Sequence, residues 1–172
     1  MNPSSALGLP SFIDFEASGL DPESYPVEVA WSAPDGTVTS YLIRPASMWT
    51  YWDPNAADIH GLSRETLEAE GLPAEIVAYR LNAALRPVGV AFSDASAFDA
   101  FWCETLLEAA GLVPEFRIAP AIEAFPGTRL AELEGYREAA YRRIGGRRHR
   151  AGTDVRALVE AHRAAFGCMD AE

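Results

Sequence analysis

The stretch FIDFEASGL, residues 12–20, carries two acidic residues inside an otherwise apolar segment. Residues 9–17 predict a first β-strand, which Gly19 ends. Asp14 and Glu16 lie two positions apart, so their side chains leave the same face of that strand, close enough to share a divalent cation. Ionised acids in an apolar strand are costly unless they are paired or bind a metal. Taken alone, however, such a pair is more often a solvated strand edge.

The sequence around this stretch predicts a sheet that starts with three consecutive strands. Residues 27–31 and 38–43 favour the second and third strands, joined by a Pro-Asp-Gly turn at 34–36. We then expect helices at 64–70, 73–85, 97–110, 130–144 and about 154–166, with strands at 88–92 and 116–122. No internal repeat or Pro/Gly/Ser-rich linker divides the chain, so we expect one domain over residues 1–172.

The charge balance excludes several classes of protein. The 172 residues contain 25 Asp plus Glu against 14 Lys plus Arg, a net charge of -11, which disfavours tight binding to long nucleic-acid tracts. All 14 basic residues are arginine, which excludes the phosphate-binding P-loop, Schiff-base chemistry and other mechanisms that need lysine. The 49% hydrophobic content is enough for a sizeable core.

The cysteines and the N-terminal segment indicate a cytoplasmic, soluble protein. Cys103 and Cys168 are far apart and belong to no CxxC or metal-ligand pattern, so we expect two free thiols in a reducing compartment. Residues 1–10 lack the basic and apolar regions of a signal peptide. The sequence has no apolar run of about 18 residues, so we expect no membrane partner.

Two further segments carry candidate chemistry. HRAGTD, residues 149–154, places His149 in a loop and Asp154 on the first turn of the last helix, where the helix dipole favours an acid. SAFDAFW, residues 96–102, places Asp99 on the first turn of an earlier helix. As an isolated motif, HRAGTD is more often a surface histidine followed by a capping aspartate.

In combination, these motifs are far more specific. FIDFEASGL, IHGLS (59–63), SAFDAFW and HRAGTD, in this order, resemble the DEDD superfamily of 3′-to-5′ exonucleases, h subclass, which includes polymerase proofreading subunits, ribonuclease T and oligoribonuclease. The resemblance covers residues 12–159. It implies an α/β, ribonuclease H-like fold: a mixed five-stranded sheet with an antiparallel second strand, flanked by helices.

The resemblance also implies roles for individual residues. Two Mg²⁺ or Mn²⁺ ions would be held by four carboxylates, and His149 would take a proton from the attacking water. The implied metal ligands are Asp14, Glu16, Asp99 and Asp154. The implied substrate contacts are the backbone of Ala17 and Ser18 to the 3′ hydroxyl, Leu20 against the terminal base, and His60 beside the nucleotide pocket. The expected activity is release of nucleoside 5′-monophosphates from the 3′ end of single-stranded RNA or DNA, including short oligonucleotides.

Several alternatives stay open at the level of sequence. Asp94 competes with Asp99 for the second-motif position; we favour Asp99 and expect Asp94 to bond turn amides or cap the helix. Leu20 is as consistent with core packing as with base contact, and Arg147 and Arg148 are as consistent with solvated charges as with phosphate contacts. A metal-dependent phosphodiesterase acting on small nucleotides and a catalytically inactive nucleic-acid-binding domain are the rival functions. Superfamily members are often homodimers, so a homodimer is also open.

The remaining conspicuous side chains have structural explanations. His162 lies on the apolar face of the last helix, which predicts a core position. The segment 49–52 contains Trp49, Tyr51 and Trp52, which favour core or interface packing over base stacking.

Overall fold

The computed structural model describes residues 8–167. Three consecutive strands, β1 (Ile13–Ala17), β2 (Pro26–Ser32) and β3 (Val38–Arg44), pair antiparallel, as predicted. A two-residue strand, β4 (Leu72–Pro73), adds parallel to β3 and completes a four-stranded sheet. β1 and β2 are buried along almost their entire length, which makes them the centre of the molecule.

The predicted five-stranded sheet is wrong in its strand count. β5 (Val90–Ser93) and β6 (Arg117–Pro120) pair parallel with each other in a separate two-stranded sheet. Among the described residues, this sheet meets β1 at a single bridge between Phe12 and Phe92, supported by a 2.8 Å bond from the Phe92 amide to the Ser11 carbonyl. The chain turns into a helix at Ser96, so β5 is too short to extend the ladder along β1.

Within residues 8–167, six α-helices surround the strands. Five of them correspond to predicted helices: α2 (Arg64–Glu70), α3 (Ala74–Leu85), α4 (Ser96–Ala109), α5 (Leu130–Ile144) and α6 (Ala151–Phe166). A short 3₁₀-helix covers Ala121–Ala124 and replaces the last two residues of the strand predicted at 116–122. No helix within residues 8–167 is long and apolar enough to cross a lipid bilayer.

The sequence prediction missed α1 (Pro54–His60). The Asp53 side chain accepts a 2.9 Å bond from the Asn55 amide, and Pro54 occupies the first helical position. Gly61, at φ 72°, ends the helix in the left-handed conformation that glycine adopts readily. These signals were present in the sequence, but the surrounding aromatic residues suggested an irregular segment.

The two faces of β1 point into different cores. Ile13, Phe15 and Ala17 pack in the cluster that includes α3 and α4, whereas Phe12 packs in the cluster that includes α6. Because side chains alternate along a strand, Asp14 and Glu16 share the face of Phe12. The α6 side of the sheet is therefore apolar at Phe12 and acidic further along β1.

The residues assigned to the core mostly pack as expected. Trp49 is buried and stacks on Tyr25, with ring centroids 5.3 Å apart. His162 is half-buried and packs against Phe125 and Phe166. Cys103 is buried and free, while Cys168 lies outside the described residues.

Candidate active site

A cavity of about 320 Å³ opens where β1 meets the N-terminal ends of α4 and α6. Its lining contains both acidic and aromatic side chains. These include Asp14, Glu16, Asp94, His149 and Asp154, together with Phe98, Trp102 and Tyr141. The structure thus brings together four of the five residues predicted to perform chemistry, although they come from separate parts of the chain.

The two acids of β1 lie on the cavity wall. Asp14 is 7% exposed, and its Oδ2 has no hydrogen-bond partner among residues 8–167. Burial, together with the nearby charges of Asp99, Glu16 and Asp154, holds the pKa of Asp14 well above its usual value. Burial, reinforced by Asp154, raises the pKa of Glu16 to about 8.

His149 and Asp154 face Glu16 from the start of α6. One ligand atom from each of Glu16, His149 and Asp154 lies within 4.8 Å of the other two. Asp154 accepts hydrogen bonds from the Tyr141 hydroxyl at 2.7 Å and from the His149 amide at 3.1 Å. Burial raises the pKa of Asp154, and the Tyr141 hydrogen bond opposes that rise.

Asp99 lies beneath the cavity lining, on the first turn of α4 as predicted. It is 1% exposed, its Oδ2 accepts a short hydrogen bond from the Ser93 hydroxyl, and its Oδ1 has no partner within residues 8–167. Burial raises its pKa to about 8. The charge of Asp99 in turn contributes to the raised pKa of Asp14.

Asp94 lies on the cavity surface and forms an ion pair with Arg137 of α5. Its predicted role in the turn is wrong, because the Ala95 amide donates to the Ser93 hydroxyl at 2.9 Å and α4 has no side-chain cap. Ser93 therefore supports the turn and bonds Asp99, which leaves the Asp94 carboxylate free to pair with Arg137.

The site is chemically suited to a hard divalent cation. Such ions prefer several carboxylate oxygens, and Glu16 and Asp154 provide two carboxyl groups within reach of one ion. Asp14 Oδ2 and Asp99 Oδ1 are buried and have no hydrogen-bond partner within residues 8–167. A bound cation would compensate these oxygens for the hydration that burial removes. A cation would also favour the ionised form of every group whose pKa is raised here.

The predicted substrate contacts fall into different environments. Leu20 is 71% exposed and lines the cavity, which excludes the core-packing alternative. Ala17 and Ser18 are buried. The Ser18 amide donates to the Tyr25 carbonyl at 2.9 Å, and the Ser18 carbonyl accepts from the Asp53 amide at 2.8 Å. The Ser18 backbone therefore already has partners inside the protein.

His60 does not line the cavity, and its position beside the nucleotide pocket stays a prediction. The side chain is 1% exposed, and its Nδ1 accepts a 3.0 Å bond from the Leu62 amide. Burial lowers its pKa, against the opposing effect of the Ala17 backbone. The IHGLS segment contains the C-terminal end of α1, at Gly61. His60 therefore lies in the protein interior, next to the Ala17 backbone.

Glu28 was missed by the sequence reasoning. It lies on β2 directly opposite Glu16 and is 4% exposed. Its two carboxylate oxygens accept 2.9 Å bonds from Nε and Nη2 of Arg150. The same signal that singled out Asp14 was present, namely an acid inside the apolar run Val27–Trp31.

The element order and the place of the acidic cavity define a ribonuclease H-like α/β fold, as predicted. No family model matches this chain, and no curated protein sequence matches it either. Solved structures of exonuclease I do share its fold.

Three of these structures illustrate the likeness. E. coli exonuclease I bound to a dA16 oligonucleotide is 16% identical, with a TM-score of 0.69 over 91% of this chain and 41% of that one. Its zinc-bound complex with single-stranded DNA is 17% identical, with a TM-score of 0.66 over 91% and 41%. Exonuclease I from Methylocaldum szegediense is 17% identical, with a TM-score of 0.66 over 91% and 40%. This chain therefore spans about two fifths of the length of these exonucleases.

Proposed function

We propose that this protein is a divalent-metal-dependent 3′-to-5′ exonuclease that releases nucleoside 5′-monophosphates from single-stranded nucleic acid. The proposal rests on the compact group of Glu16, His149 and Asp154 in a cavity also lined by Leu20. Two of the E. coli exonuclease I structures contain a dA16 oligonucleotide and single-stranded DNA, which makes single-stranded DNA the first substrate to test. RNA stays a candidate, because no feature of this site discriminates a 2′ hydroxyl.

Four carboxylates would hold two ions: Asp14, Glu16, Asp99 and Asp154. Two such ions would lower the pKa of a bound water and stabilise the negative charge on the leaving oxygen. Asp14 and Glu16 hold their positions because both belong to the buried strand β1. Asp154 is oriented by its hydrogen bonds with Tyr141 and the His149 amide.

His149 is the proposed general base. It is the exposed member of the compact group, so its imidazole can exchange protons with solvent between turnovers. In the reaction, the water oxygen bonds to phosphorus, the water proton moves to a His149 ring nitrogen, and the bond from phosphorus to the 3′ oxygen breaks. The leaving 3′ oxygen takes up a proton from solvent, and His149 releases its proton to solvent. The products are a nucleoside 5′-monophosphate and a strand shortened by one nucleotide that ends in a 3′ hydroxyl.

Leu20 is the proposed contact for the terminal base. Its exposed side chain continues into an apolar surface formed with Phe98 and Phe101, on which a base can pack. The two arginines that line the cavity are already paired, Arg137 with Asp94 and Arg148 with Glu138. Neutralisation of phosphate charge would therefore fall mainly to the bound cations.

The direct experiment uses single-stranded DNA and RNA of several lengths, each labelled at the 5′ end. With Mg²⁺ or Mn²⁺, the proposal predicts a ladder of products shortened one nucleotide at a time, and excess chelator should remove all of it. Products cut internally, or shortening that persists in chelator, would contradict the proposal.

A second candidate is a metal-dependent phosphodiesterase on dinucleotides or nucleotide conjugates. The net charge of -11 and a cavity of about 320 Å³ both favour a small substrate. The same length series separates the two functions, since this candidate predicts that kcat/KM is highest for dinucleotides and falls steeply for longer strands.

A further inference from the structure

The loop between α5 and α6 carries three arginines, and each one is anchored to a different element. Nη2 of Arg147 donates to the carbonyls of Asp58 and Ile59, at 2.8 and 3.0 Å, in the last turn of α1. Arg148 donates to Glu138 of α5 at 2.5 Å. Arg150 bonds Glu28 of β2.

The Arg150–Glu28 contact is the buried anchor of the three. The Glu28 side chain is 5% exposed, whereas Arg147 is an exposed residue and the Glu138 side chain is 45% exposed. Glu28 Oε2 also accepts a 3.1 Å bond from the Ala151 amide, so one carboxylate binds both the loop and the first residue of α6. Two parallel bonds to one carboxylate fix the direction of a guanidinium as well as its distance.

His149 lies between these anchored residues in a conformation that costs energy. Its φ is 58°, and within residues 8–167 no other non-glycine residue has a positive φ. A residue stays in this region only where its surroundings hold it there. The next residue is Arg150, and the His149 amide itself bonds Asp154.

We propose that the Arg150–Glu28 pair is a positioning device for His149. The pair holds the backbone on the C-terminal side of His149, while the amide bond to Asp154 holds it from α6. Together they keep the His149 ring within 4.8 Å of Glu16 and Asp154 ligand atoms. Arg150 touches no reacting atom in this scheme and acts only through His149. The inference rests on the proposed function, in which His149 is the general base.

A double-mutant cycle tests the coupling. The single-turnover rate on a single-stranded DNA oligonucleotide, with saturating Mg²⁺, is measured for wild type, Arg150→Gln, His149→Ala and the double variant. Arg150→Gln is expected to slow wild type by about 10- to 100-fold, because the base is misplaced, but to slow His149→Ala by less than about twofold. A merely structural role would cost the same factor in both backgrounds, and that result would overturn the inference.

Two further variants complete the design. Arg142→Gln removes an equal charge from an exposed position on α5 and is expected to keep the wild-type rate. Arg150→Lys keeps the charge but loses the paired bonds to Glu28. We expect it to lower the single-turnover rate less than Arg150→Gln does, and again to have little effect when His149 is replaced. It replaces Arg150→Gln in the cycle if that protein does not fold.

The outcomes separate this inference from the proposed function. Absent hydrolysis by wild type would overturn both. A wild-type rate for His149→Ala would remove His149 as the general base, and with it the positioning role, but would leave the exonuclease activity in place. A slow His149→Ala protein together with Arg150 variants that match Arg142→Gln would overturn the positioning role alone.

Discussion

The Tyr141 hydroxyl donates a 2.7 Å hydrogen bond to Asp154 Oδ1, and so joins α5 to the first turn of α6 beside the cavity. This bond orients one carboxylate oxygen of a proposed metal ligand. It also opposes the rise in the pKa of Asp154 that burial causes. Hydrogen bonds that orient metal ligands in this way commonly increase the affinity for the metal as well as fixing the geometry of the ligands.

Tyr141→Phe removes this bond and keeps the aromatic ring. We expect the Mg²⁺ concentration that gives half-maximal hydrolysis to rise by about 10-fold or more, with a similar maximal rate at saturating Mg²⁺. Tyr136→Phe, on the same helix, is the matched control. An unchanged Mg²⁺ requirement in Tyr141→Phe would show that Asp154 does not depend on this contact.

Separate asparagine substitutions test which aspartate of the α4 region serves the reaction. Asp99→Asn should abolish metal-dependent hydrolysis while the protein stays folded, because it removes a buried charge next to Asp14. Asp94→Asn should mainly weaken the pair with Arg137, at a cost of about 0.5 to 1 kcal/mol in the free energy of unfolding. Rates and thermal midpoints of both variants check this, and the reverse pattern would assign the ligand role to Asp94.

The raised pKa values predict how the stability of the metal-free protein depends on pH. Glu16 keeps its proton up to about pH 8 in the folded state, whereas the unfolded chain releases it near 4.5. The folded state therefore binds more protons in this window, so the free energy of unfolding falls as pH rises. We expect the thermal midpoint in chelator to decrease between about pH 5 and about pH 8.

Two comparisons isolate the cause of that decrease. Glu16→Gln has no proton to release and should show a shallower decrease in chelator. Added Mg²⁺ should raise the wild-type midpoint most at high pH, where the carboxylates it binds would otherwise repel one another. A midpoint that rises with pH in chelator would contradict the raised pKa values.

Leu20→Ala tests the proposed contact with the terminal base. The side chain is 71% exposed, so we expect little change in the thermal midpoint. Loss of apolar contact with the base should raise KM by about 3- to 10-fold. Val113→Ala is the matched control, since Val113 is 74% exposed and belongs to the loop after α4. Equal KM values for both variants would remove Leu20 from the binding surface.

Local patterns were enough to predict the elements that carry the proposed metal ligands. Asp14 and Glu16 stood out as acids in an apolar strand, and the HRAGTD segment placed Asp154 on a first helical turn, as observed. The sequence did not predict the contacts between distant segments. The Asp94–Arg137 pair joins residues 43 positions apart and the Arg150–Glu28 pair joins residues 122 apart, and no spacing rule connects them.

Burial was the second quantity that the sequence did not reveal. His60 and Leu20 both lie in segments expected to face a nucleotide, yet one is 1% exposed and the other 71%. His60 is the last residue of α1, a helix that was not predicted, and it is the buried residue of that helix. Without α1, the sequence did not indicate that His60 is buried.

The most direct test of the proposed function compares wild type with Asp14→Asn on single-stranded DNA labelled at the 5′ end, with Mg²⁺ in excess. The proposal predicts that wild type shortens the strand one nucleotide at a time and releases nucleoside 5′-monophosphates. Asp14→Asn should leave the strand intact while remaining folded, because it removes one of several crowded acids. Stepwise shortening by Asp14→Asn at the wild-type rate would contradict the proposed site.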